Sequence, residues 1–543
     1  MSRHLLQPLA KTLLFLCFAL IILKPSVTLA ASTEAKILEQ KLAPSAVYAI
    51  GGAELANLRA FYSQRQFQPI WTAYESHPAF LETALQVIAA ADAEGLDSRD
   101  YQLPLLRQLQ ADQSPSAAIE LEIRVTHALL QLAHDLARGR LPIESTDPDW
   151  HIPRPEFDAV AFLHDAIASN RLQQAFEDLP PQKPNYQLLK KTLAHYRELA
   201  RNNTQWMQIP ASPPIHPGDT GTTVPLLRQR IAQAYIADGI AAHNLALNQS
   251  QHYDPALVSA IQAFQEQHGL NADGVIGKNT VQALNTPLEW KIRQLRINME
   301  RLRWLPRNLG DRYLLVNTSG FILSAIEHDR QVLTMRIIVG RDYRSTPSFN
   351  SAVSHMVINP YWNVPASIAR KDLLPKQLRN PDFFASSGFK VYPGHDRNAE
   401  AIDPGTIDWH KYEHGFPFFL RQQPGEHNAL GKVKFMFGNP FSIYLHDTPS
   451  KSLFKRDMRT FSSGCIRLEK PLELAAFALN QPGLLEKFNE NMADDETVTM
   501  HLPKPLPIYL MYITAWVDEP QQWVHFYPDI YDRDLHALRY ARW

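Results

Sequence analysis

The chain changes its hydrophobic period once, near Tyr313, and that change narrows the folds open to it. Ahead of it, apolar residues recur at helical spacing. Leu55, Leu58, Ala60 and Phe61 share one face, and Phe80–Ala93 and Ala118–Ala137 carry apolar stripes. Behind it, Tyr313–Asn317, Phe321–Glu327, Gln331–Val339 and Ser354–Asn359 alternate or run β-branched, with turn signals at Gly320 and Asp329-Arg330. The strand pattern returns at Val433–Phe437 and Phe441–His446, and Ile508–Val517 with Trp523–Tyr527 reads as a last hairpin. Helices first and strands afterwards predict a multidomain α+β chain whose C-terminal part is mainly antiparallel β.

A length of 543 residues exceeds one ordinary core and predicts roughly two to four domains. Residues 31–208 read as a helical scaffold domain with no catalytic spacing, broken near Gly95-Leu96-Asp97 and through the Pro-rich stretch Leu141–Pro155. Ile209–Asp219 is a linker by composition and opens a compact unit over 209–287. In that unit Val224, Leu227, Ile231 and Ala234 mark one helix, Leu257, Ile261 and Phe264 a second, and Val281 with Leu284 a third. Residues 288–543 form the β-domain, interrupted over 366–431 by a polar insertion rich in Pro, Gly and His. The net charge is -1, so no basic excess points to nucleic acid or an anionic membrane surface.

The first 30 residues have the layout of a secretory signal. Arg3, His4 and Lys11 precede the apolar run Thr12–Leu23, and Thr28-Leu29-Ala30 forms a small-x-Ala cleavage site. Lys24 and Pro25 leave the run short for a bilayer span, and an uncleaved inner-membrane anchor stays open as the alternative. The expected location is the periplasm. Of the two cysteines, Cys17 lies in the signal, so cleavage leaves Cys465 alone in an oxidising compartment. An odd exported cysteine implies intermolecular pairing or a reactive thiol.

Cys465 follows Ser462-Ser463-Gly464, a sequence suited to a backbone that turns to present a side chain. His446 precedes it by nineteen positions, at the end of an apolar run. Alternation along Phe441–His446 puts Tyr444 and His446 on one face. A neighbouring imidazole can take the thiol's proton and lower its pKa to about 3.5–7.5. Backbone N–H groups of the Ser462–Cys465 turn are candidate oxyanion donors. Arg467 falls on the cysteine's side of a locally extended segment, where it could recognise a carboxylate.

Two stretches resemble known families. Pro217–Leu227 and Ala260–Asn285, with F-Q-x-x-H-G-L-x-x-D-G-x-x-G-x-x-T, look like the three-helix peptidoglycan-binding module. H-D-T-P-S ahead of R-T-F-S-S-G-C-I-R-L resembles the L,D-transpeptidase (YkuD-like) catalytic domain. That resemblance implies Cys465 as nucleophile, His446 as general base, Ser463 with Gly464 as part of the oxyanion region, and Ser462 as a substrate-binding residue. Serine at 463 departs from the commoner histidine. The whole layout, with N-P-Y-W-N-V-P at 359–365, resembles the large periplasmic members. In those the insertion caps the active site, and Trp362 and Tyr444 match aromatic positions lining its cleft.

The implied reaction uses a Cys465 thioester. The thiolate attacks the L-centre carbonyl of diaminopimelate in a tetrapeptide stem and releases D-Ala. A second diaminopimelate amine then gives a 3–3 crosslink. No cofactor and no metal are needed, and carbapenems would acylate Cys465. Expected partners are peptidoglycan stem peptides and glycan, with other wall-synthesis enzymes as candidates, no nucleic acid, and a monomeric chain. Hydrolysis (an L,D-carboxypeptidase), lipoprotein attachment and a non-enzymatic wall-binding scaffold remain alternatives. One decoy is His410-Lys-Tyr-Glu413-His414, an H-x-x-E-H zinc pattern. Its Pro/Gly-rich surroundings leave little room for the helix that such a site requires.

Overall fold

A computed structural model describes residues 33–43, 51–72, 78–202, 206–237, 245, 248–394, 399–412, 415–494, 496–518 and 523–541. The signal segment over 1–30 lies outside them. The fold is mixed α+β, with a helical N-terminal region, a small helical module and a sheet-rich C-terminal domain.

The N-terminal region is built around the helix Pro115–Arg138, which buries Ile119, Ile123, Leu129 and Leu136 against helices Gly52–Ser63, Pro78–Ala89 and Ala159–Ala168. Buried Glu122 on that helix accepts from the N–H groups of Ile70, Trp71 and Thr72 at 2.7, 2.8 and 3.0 Å, so its desolvation is offset by hydrogen bonds. The module holds helices Val224–Ala237, Pro255–Gln267 and Lys278–Leu284 around Leu227, Ile231, Ile261 and Phe264. Asp254 caps the second of these by accepting from Leu257 N at 3.0 Å.

A helix absent from the sequence reading, Leu288–Trp304, runs through the middle of the molecule. Many of its hidden polar groups are met by a neighbour, although Arg301 Nε and Nη2 have no hydrogen-bond partner among the described residues. Arg303 bonds Tyr186 Oη at 2.8 Å, Arg296 bonds Gly95 O at 2.7 Å, and Gln294 bonds Thr514 O at 3.0 Å. Arg301 pairs with Asp534. Glu289 and Arg293 reach solvent, whereas Gln294–Trp304 is buried on every side, so the apolar stripe Leu288, Ile292, Leu295, Met299 and Leu302 announces only part of what the helix hides.

The main sheet takes β1 (Arg312–Asn317), β2 (Ile322–Glu327), β3 (Arg330–Gly340) and β4 (Phe349–Ile358). After the insertion come β8 (Val433–Phe437), β9 (Leu445–His446), β10 (Thr460–Ser462), β11 (Ile466–Leu468) and β12 (Val498–Met511). The order is β10-β3-β11-β9-β8-β4-β12-β1-β2, and β2 also pairs with β3, so the sheet closes on itself. The pairs β1–β12, β10–β3 and β11–β9 are parallel. Leu314, Val316, Ile337, Met356, Phe435, Leu445 and Ile508 fill the interior with helix Pro471–Leu479. Outward-facing Tyr313, Leu315 and Ile326 pack toward the central helix.

The insertion is a subdomain with its own core of Leu374, Phe384, Val391 and Leu420. Its sheet, β5 (Trp362–Val364), β7 (Phe418–Gln422) and β6 (Phe389–Pro393), begins ahead of residue 366 and takes Trp362 with it.

Two expected elements differ. The strand over Phe441–His446 shortens to Leu445–His446. Asn439 Oδ1 captures the N–H groups of Phe441 and Ile443 at 3.1 and 3.0 Å, and Ser442 adopts φ 56°, so the backbone turns. The last hairpin is Ala515–Asp518 (β13) with Trp523–Phe526 (β14). Ile508–Met511 instead ends the long strand β12, which pairs with β4 and β1.

Candidate active site

Cys465 and His446 come from neighbouring parallel strands. Ile466 pairs with Leu445 and Arg467 with His446, while Ile466 N donates to Tyr444 O at 3.1 Å. Cys465 therefore lies beside Tyr444 and Arg467 beside His446, and alternation puts all four side chains on one face. His446 is the diagonal neighbour of Cys465. The two are not hydrogen-bonded among the described residues. The half-buried thiol instead donates to Ser442 O at 3.8 Å and meets the Tyr444 hydroxyl.

The imidazole is buried, and its ring lies 5.6 Å from that of Tyr444. Nδ1 reaches the carbonyl of Asp447 at 2.5 Å, which makes Nδ1 the protonated nitrogen and leaves the Nε2 lone pair available. Asp447 is itself held, accepting from Lys432 N at 2.9 Å and pairing with Lys451 at 2.5 Å. Gly431 makes room for it, since a Cβ there would come within 2.3 Å of the Asp447 carboxylate.

Burial first, and Arg467 second, push the His446 pKa down to about 3. Burial pushes the Cys465 thiol up from its ordinary 9.0, opposed by the Tyr444 contacts and then by Arg467 and Lys434. Both groups are neutral at neutral pH. The expectation of a thiol lowered by imidazole is corrected here: burial of both groups, and then the Arg467 cation beside His446, disfavours the thiolate–imidazolium pair.

Lys434, missed in the sequence, pairs with His446 across β8–β9, and its Nζ lies 5.7 Å from the Tyr444 ring centroid. Arg467, on the opposite strand, joins no ion pair among the described residues, and its buried Nε has no hydrogen-bond partner. Two cations thus flank the imidazole and act on the thiol, where they favour negative charge on sulfur or on a reacting oxygen.

The turn before the thiol is pinned by Ser462, whose Oγ donates to Cys465 O at 2.5 Å and accepts from Gly464 N at 3.2 Å. The Gly464 N–H is therefore engaged, contrary to its expected availability as an oxyanion donor. Gly464 has φ +115°, which a side chain rarely tolerates. Ser463 Oγ accepts from Arg344 Nη1 at 2.7 Å, and the same guanidinium pairs with Asp372 of the cap at 2.6 Å. From the inserted subdomain, the Trp362 side chain approaches the Tyr444 hydroxyl.

A cleft of about 290 Å³ opens beside Cys465 and Gly464. One wall comes from the scaffold region: Asp149 and His151 line it, tied down by His151 N to Ser348 O at 2.6 Å and Ser345 Oγ to Asp149 at 2.8 Å. Neither residue carried a sequence signal, since both sit in the Pro-rich stretch that reads as a break. Of the zinc-like pattern, His410 lies in the short 3-10 turn Trp409–Tyr412, and Glu413 and His414 are outside the described residues. No cluster of three or more His, Cys, Asp or Glu that could hold a metal occurs among the described residues.

Comparison with known proteins bears on this geometry. Residues 311–493 match the family model described as "L,D-transpeptidase catalytic domain". That stretch is similar to an L,D-transpeptidase catalytic domain. Residues 220–284 match a model described as "Putative peptidoglycan binding domain", and residues 56–193 one described as "Scaffold domain". A curated relative from Haemophilus influenzae, described as "Putative L,D-transpeptidase", is 35% identical over 263 residues, 47% of this chain and 52% of the relative. The chain thus spans about half the length of that relative.

Two solved structures are also similar. The L,D-transpeptidase of Xylanimonas cellulosilytica (residues 123–326) is 17% identical at a TM-score of 0.19, over 56% of this chain and 99% of that one. The L,D-transpeptidase of Stackebrandtia nassauensis is 13% identical at 0.22, over 55% and 97%. Overlays at those scores transfer no structural detail. The family match to the L,D-transpeptidase domain covers β1 through the helix Pro482–Ala493 and contains Cys465, His446, Lys434 and Arg467.

Proposed function

We propose that this protein is a periplasmic L,D-transpeptidase that forms 3–3 crosslinks between diaminopimelate residues of peptidoglycan. The observation that carries the reading is the four-residue face of Cys465, Tyr444, His446 and Arg467, of which Cys465 opens onto a cleft, inside a matched L,D-transpeptidase domain. The peptidoglycan-binding domain supports the wall as substrate, and the export layout of residues 1–30 supports the compartment.

In the first step the thiol leaves its Ser442 and Tyr444 contacts and gives its proton to His446 Nε2. Sulfur attacks the carbonyl at the L-centre of diaminopimelate. The C–N bond to D-Ala breaks, and the imidazolium returns the proton to the leaving amine. In the second step the side-chain amine of another stem attacks the thioester, His446 takes its proton, and the thiol is restored. Arg467 would hold the stem carboxylate, and Trp362 with Tyr444 would wall the donor. With Gly464 N–H engaged, the Cys465 N–H would serve as the oxyanion donor.

The test is intact-mass analysis of the protein with a diaminopimelate tetrapeptide and, separately, with a carbapenem. A mass gain lost in Cys465→Ala is the expected result, and no adduct from either reagent would sink the reading. Muropeptide products then sort the acceptor: 3–3 dimers support the crosslinking enzyme, whereas tripeptides alone or lipoprotein-linked stems replace it with hydrolysis or attachment.

A further inference from the structure

A second cavity, about 550 Å³, lies between the module and the outside of the closed sheet. It is larger than the cleft beside Cys465 and shares no lining residue with it. The module's turn Gly269–Ala272 forms one wall, and the meander of β1, β2 and β3 forms the floor. The opposite wall is the segment Phe454–Arg459, part of the connection that runs from His446 to Cys465. Asp457 in that segment clamps the module to it, accepting from Asn271 N at 2.7 Å and from Asn279 Nδ2 at 3.0 Å. The cavity therefore exists because the two domains dock.

Its chemistry has a direction. Arg336, Lys455, Arg456, Arg459 and Lys470 line it against only Glu266 and Glu469, a local charge of +3 in a chain of net -1. Glu469 is consumed by Arg336, with Nε to Oε1 at 2.9 Å. Lys455 and Arg456 point into solvent. Arg459 is 7% exposed, donates to Arg456 O at 2.8 Å, and has a buried Nε with no hydrogen-bond partner. A buried guanidinium short of acceptors beside exposed cations favours an incoming carboxylate. Half-buried Trp516 adds an aromatic surface of the kind that packs against a ring face.

We propose that this groove binds an anionic glycopeptide strand of the cell wall, gripped jointly by the module and the catalytic domain, and distinct from the strand that reacts at Cys465. The choice of wall material rests on the function proposed above; the carboxylate preference rests on the groove. Module and catalytic domain then act as two jaws on a strand that lies beside the path between base and nucleophile.

The experiment uses the full chain as Cys465→Ala, so that turnover plays no part, with a soluble disaccharide-tetrapeptide as the probe. Charge reversal by Lys455→Glu with Arg456→Glu, both exposed and outside the catalytic face, should weaken binding about tenfold or more. Hydrogen exchange should slow on ligand addition over 269–272 and 454–459. An uncharged chito-oligosaccharide should bind more weakly and ignore the reversal. Unchanged affinity in the double variant, or protection confined to the Cys465 cleft, would overturn the proposal. So would a neutral sugar that binds as tightly as the glycopeptide. Failure of the transpeptidase reading is told apart by the acylation assay in the Cys465 protein, where the double variant should retain its carbapenem adduct.

Discussion

Around neutral pH His446 offers a free Nε2 and Cys465 keeps its proton, because burial and flanking cations disfavour charge on the ring. Alkylation of Cys465 by iodoacetamide should therefore keep accelerating as pH rises through the neutral range toward and past 9.0. A stored thiolate–imidazolium pair would instead give a rate already level near pH ~6, and that plateau would refute the neutral assignment. The same residue affects acid stability. Its folded pKa of about 3 lies below the ordinary 6.5, so the unfolded chain binds more protons between those values. Stability is lost as pH falls through that window, and His446→Gln should lose less of it in denaturant titrations at acid pH. Cys465 and His446 were legible because their neighbours spell a long motif. Lys434 and Arg344 were not: each is a single cation in a strand or loop, and only the register of β8 with β9 and the path of the turn bring them to the thiol.

At the scale of elements, the inserted subdomain is tied to the surroundings of the nucleophile through Asp372. Asp372 meets Arg344 at 2.6 Å and Arg341 at 3.6 Å, while Arg344 also holds Ser463. These side chains are partly exposed, so Asp372→Asn should cost global stability no more than about 1 kcal/mol. Its effect should be local. Hydrogen exchange over helix Leu374–Arg379 should quicken while Tm barely moves, and a large fall in Tm with unchanged exchange would refute this. Strand alternation announced most of the sheet. It failed at Phe441–Tyr444, where the Asn439 side chain outbids the ladder for backbone N–H groups, and it could not foretell that β12 lies between β1 and β4. The cap read as polar loop because its core is gathered from short, scattered pieces.

Across the whole molecule, Tyr527 is wedged between domains. A Cβ at Gly320 would come within 2.8 Å of its ring, and one at Gly269, where φ is +67°, within 3.0 Å. Gly269→Ala should therefore destabilise the module's seat by about 1–3 kcal/mol, read as a lower midpoint in denaturant unfolding, and an unchanged midpoint would refute the wedge. The order of domains was plain from the change of period. Their mutual embedding was not: the stripe Leu288, Ile292, Leu295, Met299 and Leu302 marks one buried face, and nothing in it shows that the charged face from Gln294 on is buried too.

That helix, Leu288–Trp304, has a consequence for how such a chain can be rearranged. Its polar side chains find their partners in the scaffold region, at Thr514 between β12 and β13 and in the C-terminal helix Arg533–Leu538 at once. Cutting at the catalytic match, which begins at 311, would orphan those partners and bare the apolar wall of Tyr313, Leu315 and Ile326. Swapping in a foreign wall-binding module at a convenient loop would face the same obstacle. The parts are not interchangeable beads: they share one keystone, and an exchange that leaves it behind leaves the arch open.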